Sequence, residues 1–598
     1  MPHPRPKAGL GDPPADLPAP GDRLTLTVDS LAAEGDGVAR HGALAVFIPQ
    51  SAPGDCLEVE VTETAARFAR ARIISVLRPG PDRIAPPCPV YQDCGGCTWQ
   101  HLSYPAQLQW KRTVVVEALR RLGQIPSPEP LVRDTLAADP PWRYRHKMAV
   151  PFAPPLDGGS WAPAHPAAPR PRPSGAPPSA AAPRPPASVP FAPPGRGGPA
   201  PRGAPASTPA TRPPVCVPFA PPGRAGPASR GAPAATPAAR PPGSVPFAPP
   251  GRGGSAPRGA RSAPASAPGS RRPVSVPFAP PRRLGVPLQA GFYARRSHRI
   301  VPFETCAIQH PLLDRALAET LRLAAHLDVQ AYDERTRRGD LRHLVGRVSR
   351  STGELLLCLV TARPDFPEGR PLAEGLMAAI PECVGVMHNI NGAPGNAILG
   401  RSTRTLAGRD HLIEELDGLR CLVSAPSFFQ VSPAQAAHLY QIAARQADLR
   451  ADDIAFDVYA GVGTLSLYLA RAAGAVEAVE EVPEAVRDGR RNAAANDAHN
   501  VRFHLGAAEE VVPTLVARGI RPAVVVLDPP RKGAAEVVLE AIARARPRRV
   551  VYVSCNPATL ARDTLRLAAA GYRVAEVQPV DMFPQTAHVE CSALLERE

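Results

Sequence analysis

Four short runs of β-branched and apolar residues, at 454–458, 476–479, 524–527 and 550–553, each lead into a stretch with helical periodicity. A strand buried on both faces reads as such an unbroken apolar run, and strands alternating with helices pair in parallel through helical crossovers. The region 426–598 is therefore expected to be α/β, a doubly wound Rossmann-like sheet whose ligands sit beyond the carboxyl ends of its strands.

Those carboxyl ends carry the residues with chemical character. After the first run comes Asp457-Val-Tyr459-Ala-Gly461-Val-Gly463, a glycine-rich strand-to-helix turn of the kind that lets backbone approach a ligand closely. The second run ends in Glu480, placed to accept hydrogen bonds from both ribose hydroxyls of a nucleoside. Leu465 and Ser466 follow Gly463, so the Gly-x-Gly-x-x-Gly spacing of dinucleotide sites is absent and S-adenosylmethionine is favoured over a nicotinamide.

The third run ends in Asp528-Pro-Pro-Arg531-Lys-Gly. Methylases of exocyclic amines commonly place a base-stacking aromatic where Arg531 stands, so that reaction is disfavoured. The fourth ends in Ser-Cys555-Asn-Pro557. Pro557 suits a first helical turn, and a thiol at a helix N-terminus is expected to ionise more easily. A thiolate that adds to carbon 6 of uracil makes carbon 5 nucleophilic, and Glu590 is the candidate base for the proton that carbon 5 must then lose.

The rest of the chain divides by composition. Residues 153–283 hold 16 Arg, no Lys, one Asp and no Glu, which equals the formal charge of +15 of all 598 residues, so the remainder is close to neutral and the basic pI argues little for nucleic acid. Only four Lys occur, Lys7, Lys111, Lys147 and Lys532. Val-Pro-Phe-Ala-Pro-Pro recurs from Val150, Val189, Val217, Val245 and Val276. With so few apolar side chains this insertion is expected to be disordered, a tolerated expansion more than an RNA tether, as is the tail 1–20. Residues 21–80 alternate apolar and polar positions between Gly, Asp and Pro clusters, the pattern of a small barrel.

Cys88, Cys94 and Cys97, with Cys306 far downstream, offer four thiolates for a [4Fe-4S] cluster or a zinc ion. The other cysteines, at 56, 216, 358, 383, 421 and 591, are expected to be core, surface or linker residues. Strands are expected at 145–152 and 291–301, where Trp142-Arg-Tyr-Arg-His-Lys147 and Tyr293-Ala-Arg-Arg-Ser-His-Arg299 interleave aromatic and basic side chains able to stack bases and meet phosphates. No run of about 18 apolar residues exists and no signal peptide is visible, so a cytoplasmic, membrane-free protein is expected.

Taken together, Ser427-Phe-Phe-Gln430, the Asp457–Gly463 turn, Val479-Glu480, Asp528-Pro-Pro-Arg-Lys-Gly, Ser554-Cys555-Asn-Pro and His588-Val-Glu590 resemble the RNA uracil-5-methyltransferases of the RlmD/RumA and TrmA class. Residues 21–80, through Glu34-Gly-Asp-Gly-Val-Ala39 and Pro53-Gly-Asp55, resemble an OB-like TRAM domain. The resemblance implies a class I methyltransferase domain at 426–598 behind an RNA-binding barrel and a central α+β iron-sulfur domain, in two parts at 81–152 and 284–425. It implies that Gln430, Tyr459, Glu480 and Asp528 contact S-adenosylmethionine, that Cys555 adds to the base and Glu590 takes the proton, and that Cys88, Cys94, Cys97 and Cys306 hold a [4Fe-4S] cluster. It also implies an RNA substrate, 23S rRNA, with the target base flipped from a loop, and a monomer. Ala507 departs from the family, whose members tend to have a polar residue there near the adenine. A tRNA uracil-5 or RNA cytosine-5 methylase, or a non-catalytic RNA-binding protein on the same fold, are the alternatives.

Overall fold

A computed structural model describes residues 17–154 and 288–598. The tail expected to be disordered lies outside the described residues but for 17–20, and the repeat insertion but for 153 and 154. Five strands come first: β1 (Arg23–Leu31), β2 (Gly37–His41), β3 (Leu44–Ile48), β4 (Cys56–Ala65) and β5 (Phe68–Arg78). They close in the order β1-β2-β3-β5-β4 around Leu26, Val28, Val46, Ile48, Leu57 and Val59, each at most 6% exposed. Alternation of side chains along each strand fills the interior with one face and leaves charge on the other. Strand β2 begins within the Glu34-Gly-Asp-Gly-Val-Ala39 segment, and Gly35 (φ +100°) makes the tight entry to it.

Helix α1 (Tyr104–Arg121) leads to β6 (Lys147–Ala153), β7 (Gln289–Tyr293), β8 (Ile300–Pro302), α2 (Pro311–His326), β9 (Leu341–Val348), β10 (Leu355–Thr361), α3 (Gly369–Ala379), β11 (Cys383–Ile390) and β12 (Ser402–Gly408). Seven strands form one sheet in the order β12-β11-β10-β9-β6-β7-β8. The segment expected as a single strand over 291–301 is instead a hairpin, β7 pairing antiparallel with β8 across a turn in which Arg296 takes φ +51°. A two-strand ribbon, β13 (His411–Leu416) and β14 (Leu419–Ser424), follows.

The last region contains α4 (Pro433–Ala447), β15 (Ile454–Val458), α5 (Thr464–Ala470), β16 (Ala475–Glu480), α6 (Pro483–Ala495), β17 (Val501–Leu505), α7 (Ala508–Ala517), β18 (Val524–Leu527), α8 (Glu536–Ala545), β19 (Arg549–Ser554), α9 (Pro557–Ala568), β20 (Tyr572–Val580) and β21 (Glu590–Arg597). The sheet order is β17-β16-β15-β18-β19-β21-β20. The four apolar runs of the sequence are its central parallel strands β15, β16, β18 and β19, as expected of strands covered on both faces. Apolar clusters on either face hold the helices: Phe456, Val525 and Tyr552 face α7, α8 and α9, while Ala455, Val524 and Val551 face α4 and α5.

One feature has no local sequence signal. Strand β21 inserts antiparallel between β19 and β20, pairing Ser554 with Cys591 and Val580 with Glu590. That insertion carries Glu590 from the far end of the chain to the end of the strand that leads into Cys555. Among the described residues no helix is long and apolar enough to cross a membrane.

Candidate active site

The carboxyl ends of β15, β16, β18 and β19 open on a cavity of about 700 Å³. Gln430, Tyr459, Gly461, Glu480, Asp528, Cys555 and Glu590 line it, together with Phe428, Arg531, Lys532, Phe583 and His588. Asp457 lines a smaller adjoining pocket shared with Tyr459, Gly461 and Asp528. Gly463 lines neither; at φ +76°, a Cβ there would stand 2.5 Å from the Phe503 ring, so its role is to let the loop turn under that ring. Ala507 lies beside the cavity: its neighbours Gly506 and Ala508 line the wall, and Ala507 precedes the first turn of α7.

The glycine-rich loop is held from beneath. Glu480 accepts from the backbone N–H of Gly461 (2.9 Å) and of Val482 (2.8 Å), so it braces the loop while its carboxylate keeps lone pairs free toward the cavity. Tyr459 sits at φ +72°, a strained position for a side chain that large, and its N–H is held by Val479 O at 3.0 Å. Asp457 accepts from Ser466 with one oxygen, and its other oxygen is buried without a partner. Burial raises Asp457 to about 6, and burial together with the charge of Asp457 raises Asp528 to about 7. A buried carboxylate with one unpaired oxygen, beside a second, half-buried one that repels it, fits a cationic ligand.

Cys555 follows β19 directly. Asn556 caps α9, accepting from Ala558 N at 3.1 Å, and donates to Arg531 O at 3.1 Å, which ties the loop after β18 to the loop after β19. The expectation that the helix start makes this thiol readily ionised is not met by the surroundings: burial first, then the charges of Glu590 and Asp528, push Cys555 up to about 11, and only Arg531 among the neighbouring charges draws it down. Glu590 is 4% exposed and is raised well above the ordinary carboxylate range by burial and by Asp528, again with Arg531 opposing. A carboxylate so placed takes up a proton readily. His588 stands at the exposed rim of the cavity and is pushed below the ordinary imidazole value by partial desolvation and by the charges of Arg531, Lys111 and Arg145; it packs edge-on against Phe583 with ring centres 5.9 Å apart. Phe583 and His588 escaped the reading of the sequence as site residues, although His588 stands within the His-Val-Glu segment.

A second cavity, of about 580 Å³, brings together Cys88, Cys94, Cys97 and Cys306, which are all free thiols. Cys97 is raised to about 12 and Cys306 to about 11, by burial first and in part by the neighbouring cysteines. Gly95 packs where a Cβ would lie 2.9 Å from Tyr293 O, which lets the cysteine loop lie along β7. Arg295 stacks over the Tyr91 ring at 5.3 Å, donates to Cys97 O at 2.6 Å and has its buried Nε unpartnered. Among the described residues no group of three or more His, Cys, Asp or Glu side chains is placed to hold a metal ion. Of the remaining described cysteines, those at 358, 383, 421 and 591 are buried and Cys56 is half-buried in β4; Cys216 lies outside the described residues.

The aromatic and basic residues expected to meet RNA divide. Tyr144 is buried and donates to Pro584 O at 3.0 Å, so it serves internal packing; Arg143 is exposed and pairs with Asp314 and with Cys306 O. Tyr293, Arg296 and Arg299 are at the surface, the two arginines beside Asp36 and Asp93.

Comparison with known proteins follows the same division. Residues 420–598 match the tRNA (uracil-5-)-methyltransferase family model, and residues 19–74 match the TRAM domain. An uncharacterized RNA methyltransferase of Halalkalibacterium halodurans is 33% identical over 96% of this chain and 97% of its own. One from Gloeobacter violaceus is 34% identical over 96% and 97%, and one from Listeria innocua 32% over 97% and 99%. Among solved structures, the Pyrococcus abyssi tRNA (uracil-54, C5)-methyltransferase in complex with S-adenosyl-L-homocysteine shares the fold at TM-score 0.59 and 19% identity, covering 96% of this chain and all of that one. A cofactor loop and a strand-end thiol facing one cavity, on a chain aligned nearly end to end with these relatives, make this protein a member of the RNA (uracil-5-)-methyltransferase family, whose methyl donor is S-adenosylmethionine.

Proposed function

We propose that the protein methylates carbon 5 of a flipped uracil in 23S rRNA, with Cys555 as nucleophile and Glu590 as base. The observation that carries this reading is the meeting of Cys555 and Glu590 in the cavity that also receives Gln430, Tyr459, Gly461, Glu480 and Asp528. S-adenosylmethionine would be held by those five with Asp457, and it supplies an electrophilic methyl group on a positively charged sulfur. The Cys555 thiol loses its proton to water, and Sγ bonds to carbon 6 of the ring. The electron pair of the 5,6 double bond moves toward carbon 5 and O4; carbon 5 would then take the methyl group as its bond to the donor sulfur breaks, that sulfur keeping the bonding pair and losing its charge. Glu590 then accepts the proton of carbon 5; the electrons of that C–H bond restore the double bond and expel the Cys555 thiolate.

The raised thiol makes a pH prediction. A positive charge near Sγ lowers its pKa, as Arg531 already does. Alkylation of Cys555 by iodoacetamide, followed by peptide mass spectrometry, is expected to have a midpoint near 11 in the protein alone. Saturating S-adenosylmethionine is expected to lower it by about one unit or more, and uncharged S-adenosylhomocysteine to leave it in place. A midpoint indifferent to the donor's charge would sink the electrostatic part of the mechanism.

We assign Cys88, Cys94, Cys97 and Cys306 to a [4Fe-4S] cluster with a structural role. What supports this is that four free thiols, Cys97 buried and the other three half-buried, line one roomy cavity, and four thiolates are the ligand set such a cluster takes. Iron with acid-labile sulfide in protein purified without air supports this; zinc in their place overturns it. The barrel and the cysteine set together favour ribosomal over transfer RNA. Mapping 5-methyluridine in both RNAs from a deletion strain tests the choice: loss of a 23S position is expected, and loss confined to tRNA would contradict it.

A further inference from the structure

We propose that Gln107 and Lys111 of α1 are positioning residues for Glu590, holding in place the segment 581–589 that delivers it. This rests on Glu590 acting as the base. The segment joins β20 to β21 and, apart from Phe583 and His588, is buried. A buried connection outside any ladder must find partners for its backbone elsewhere. Here several come from residues 98–111, beside Leu136 O and Gln435 at Asp581 and Tyr144 at Pro584 O.

Gln107 and Gln585 bond reciprocally: Gln585 N–H donates to Gln107 Oε1 at 2.9 Å, and Gln107 Nε2 donates to Gln585 Oε1 at 3.0 Å. The backbone N–H groups of Thr98 and Trp99 donate to Gln585 O at 3.1 and 3.0 Å, and Ala587 N–H donates to Thr98 Oγ1 at 2.9 Å. Lys111 forms an ion pair with Asp581, both fully buried, and donates to Phe583 O at 3.0 Å, while Tyr104 OH donates to Asp581 at 2.9 Å. Gln585 itself sits at φ +68°, a conformation a non-glycine residue keeps only where its surroundings over-determine it.

Neither Gln107 nor Lys111 lines the cavity of Cys555 and Glu590. They reach Glu590 through the loop: Gln107 bonds Gln585 as well as Trp99 O and Leu102 O, and Lys111 bonds Asp581 and Phe583 O. The nucleophile and the cofactor loop stand on β19, β15 and β16, which join α1 in an apolar cluster through Val115, Val116 and Leu119 and not through Gln107 or Lys111, so loosening 581–589 should displace the base and leave thiol addition and methyl transfer in place. A misplacement of about 1 Å slows a reacting group by about a hundredfold.

The test uses the full chain and RNA carrying tritium at carbon 5 of its uracils. In the wild type, methyl incorporation and tritium release keep pace. In Gln107→Ala, the first turnover of methyl transfer is expected within about threefold of wild type, with tritium release down about tenfold or more and a protein–RNA adduct persisting on denaturing gels. Gln107→Glu, which keeps the acceptor for Gln585 N–H, is expected to recover much of the release, and it serves as the main variant should Gln107→Ala fail to fold. Lys111→Met, with donor affinity as a check on the fold, is expected to separate the two steps in the same sense. Equal loss of both steps, or loss of neither, overturns the proposal. Glu590→Gln is run alongside: if it too fails to separate them, the base assignment is what has failed.

Discussion

Cys555→Ala is expected to abolish methylation, lowering turnover by about 10⁴-fold or more, while S-adenosylmethionine still binds with near wild-type affinity. The size follows from the chemistry. Carbon 5 of uracil is a weak nucleophile, and no other thiol substitutes: Cys591, the nearest in the chain, is buried and paired through β21 against Ser554. Donor affinity should survive because the contacts proposed for it come from β15, β16 and β18 and from Gln430. Binding by calorimetry beside methyl transfer from labelled donor measures both, and residual methylation within about a hundredfold of wild type would contradict the role given to this sulfur.

Glu590→Gln is expected to behave differently. The thiol still adds and carbon 5 still receives its methyl group, but the proton remains, so turnover falls by about 10² to 10⁴ while a covalent protein–RNA species accumulates with ordinary, unsubstituted RNA. The substitution also removes a like charge from beside Cys555, which favours the thiolate and sharpens the contrast between a fast first methyl transfer and a slow release. A denaturing gel read together with rapid-quench methyl incorporation distinguishes the cases. Loss of both the adduct and the first methyl transfer would place Glu590 earlier in the reaction than proposed.

The parallel half of the sheet was legible in the sequence because burial on both faces leaves a continuous apolar run, a local signal that needs no partner to be recognised. The barrel was legible for the complementary reason, one dry face and one wet face in alternation. The pairing of β21 with β19 and β20 was not: it joins strands out of chain order, and β20 mixes Arg573, Glu576, Gln578 and Pro579 with its apolar residues. Glu590 could thus be named from its motif while the reason it stands beside Cys555 stayed hidden.

Electrostatics divided along the same line. The start of α9 is local and visible, but the burial and carboxylates that dominate the Cys555 thiol come from β18 and β21 and reverse its effect. Tyr144 read as a stacking residue from its neighbours and proved to be an internal donor, since alternation along a strand does not say which face is wet. The braces under the 581–589 segment left one overlooked signal. In a chain that writes almost every cation as Arg, Lys111 is one of four lysines, and it is fully buried against Asp581. A compact ammonium on a flexible stem fits a single carboxylate and a carbonyl where a guanidinium fork would not.

The central claim is a bond between Sγ of Cys555 and carbon 6 of the target uracil. RNA transcribed with 5-fluorouridine, incubated with the protein and S-adenosylmethionine, tests it most directly, because fluorine cannot leave carbon 5 as a proton does and the adduct cannot resolve. The account predicts a stable protein–RNA complex whose digest carries one methylated fluoropyrimidine on the peptide containing Cys555. Complete turnover without an adduct, or an adduct on any other residue, would contradict it.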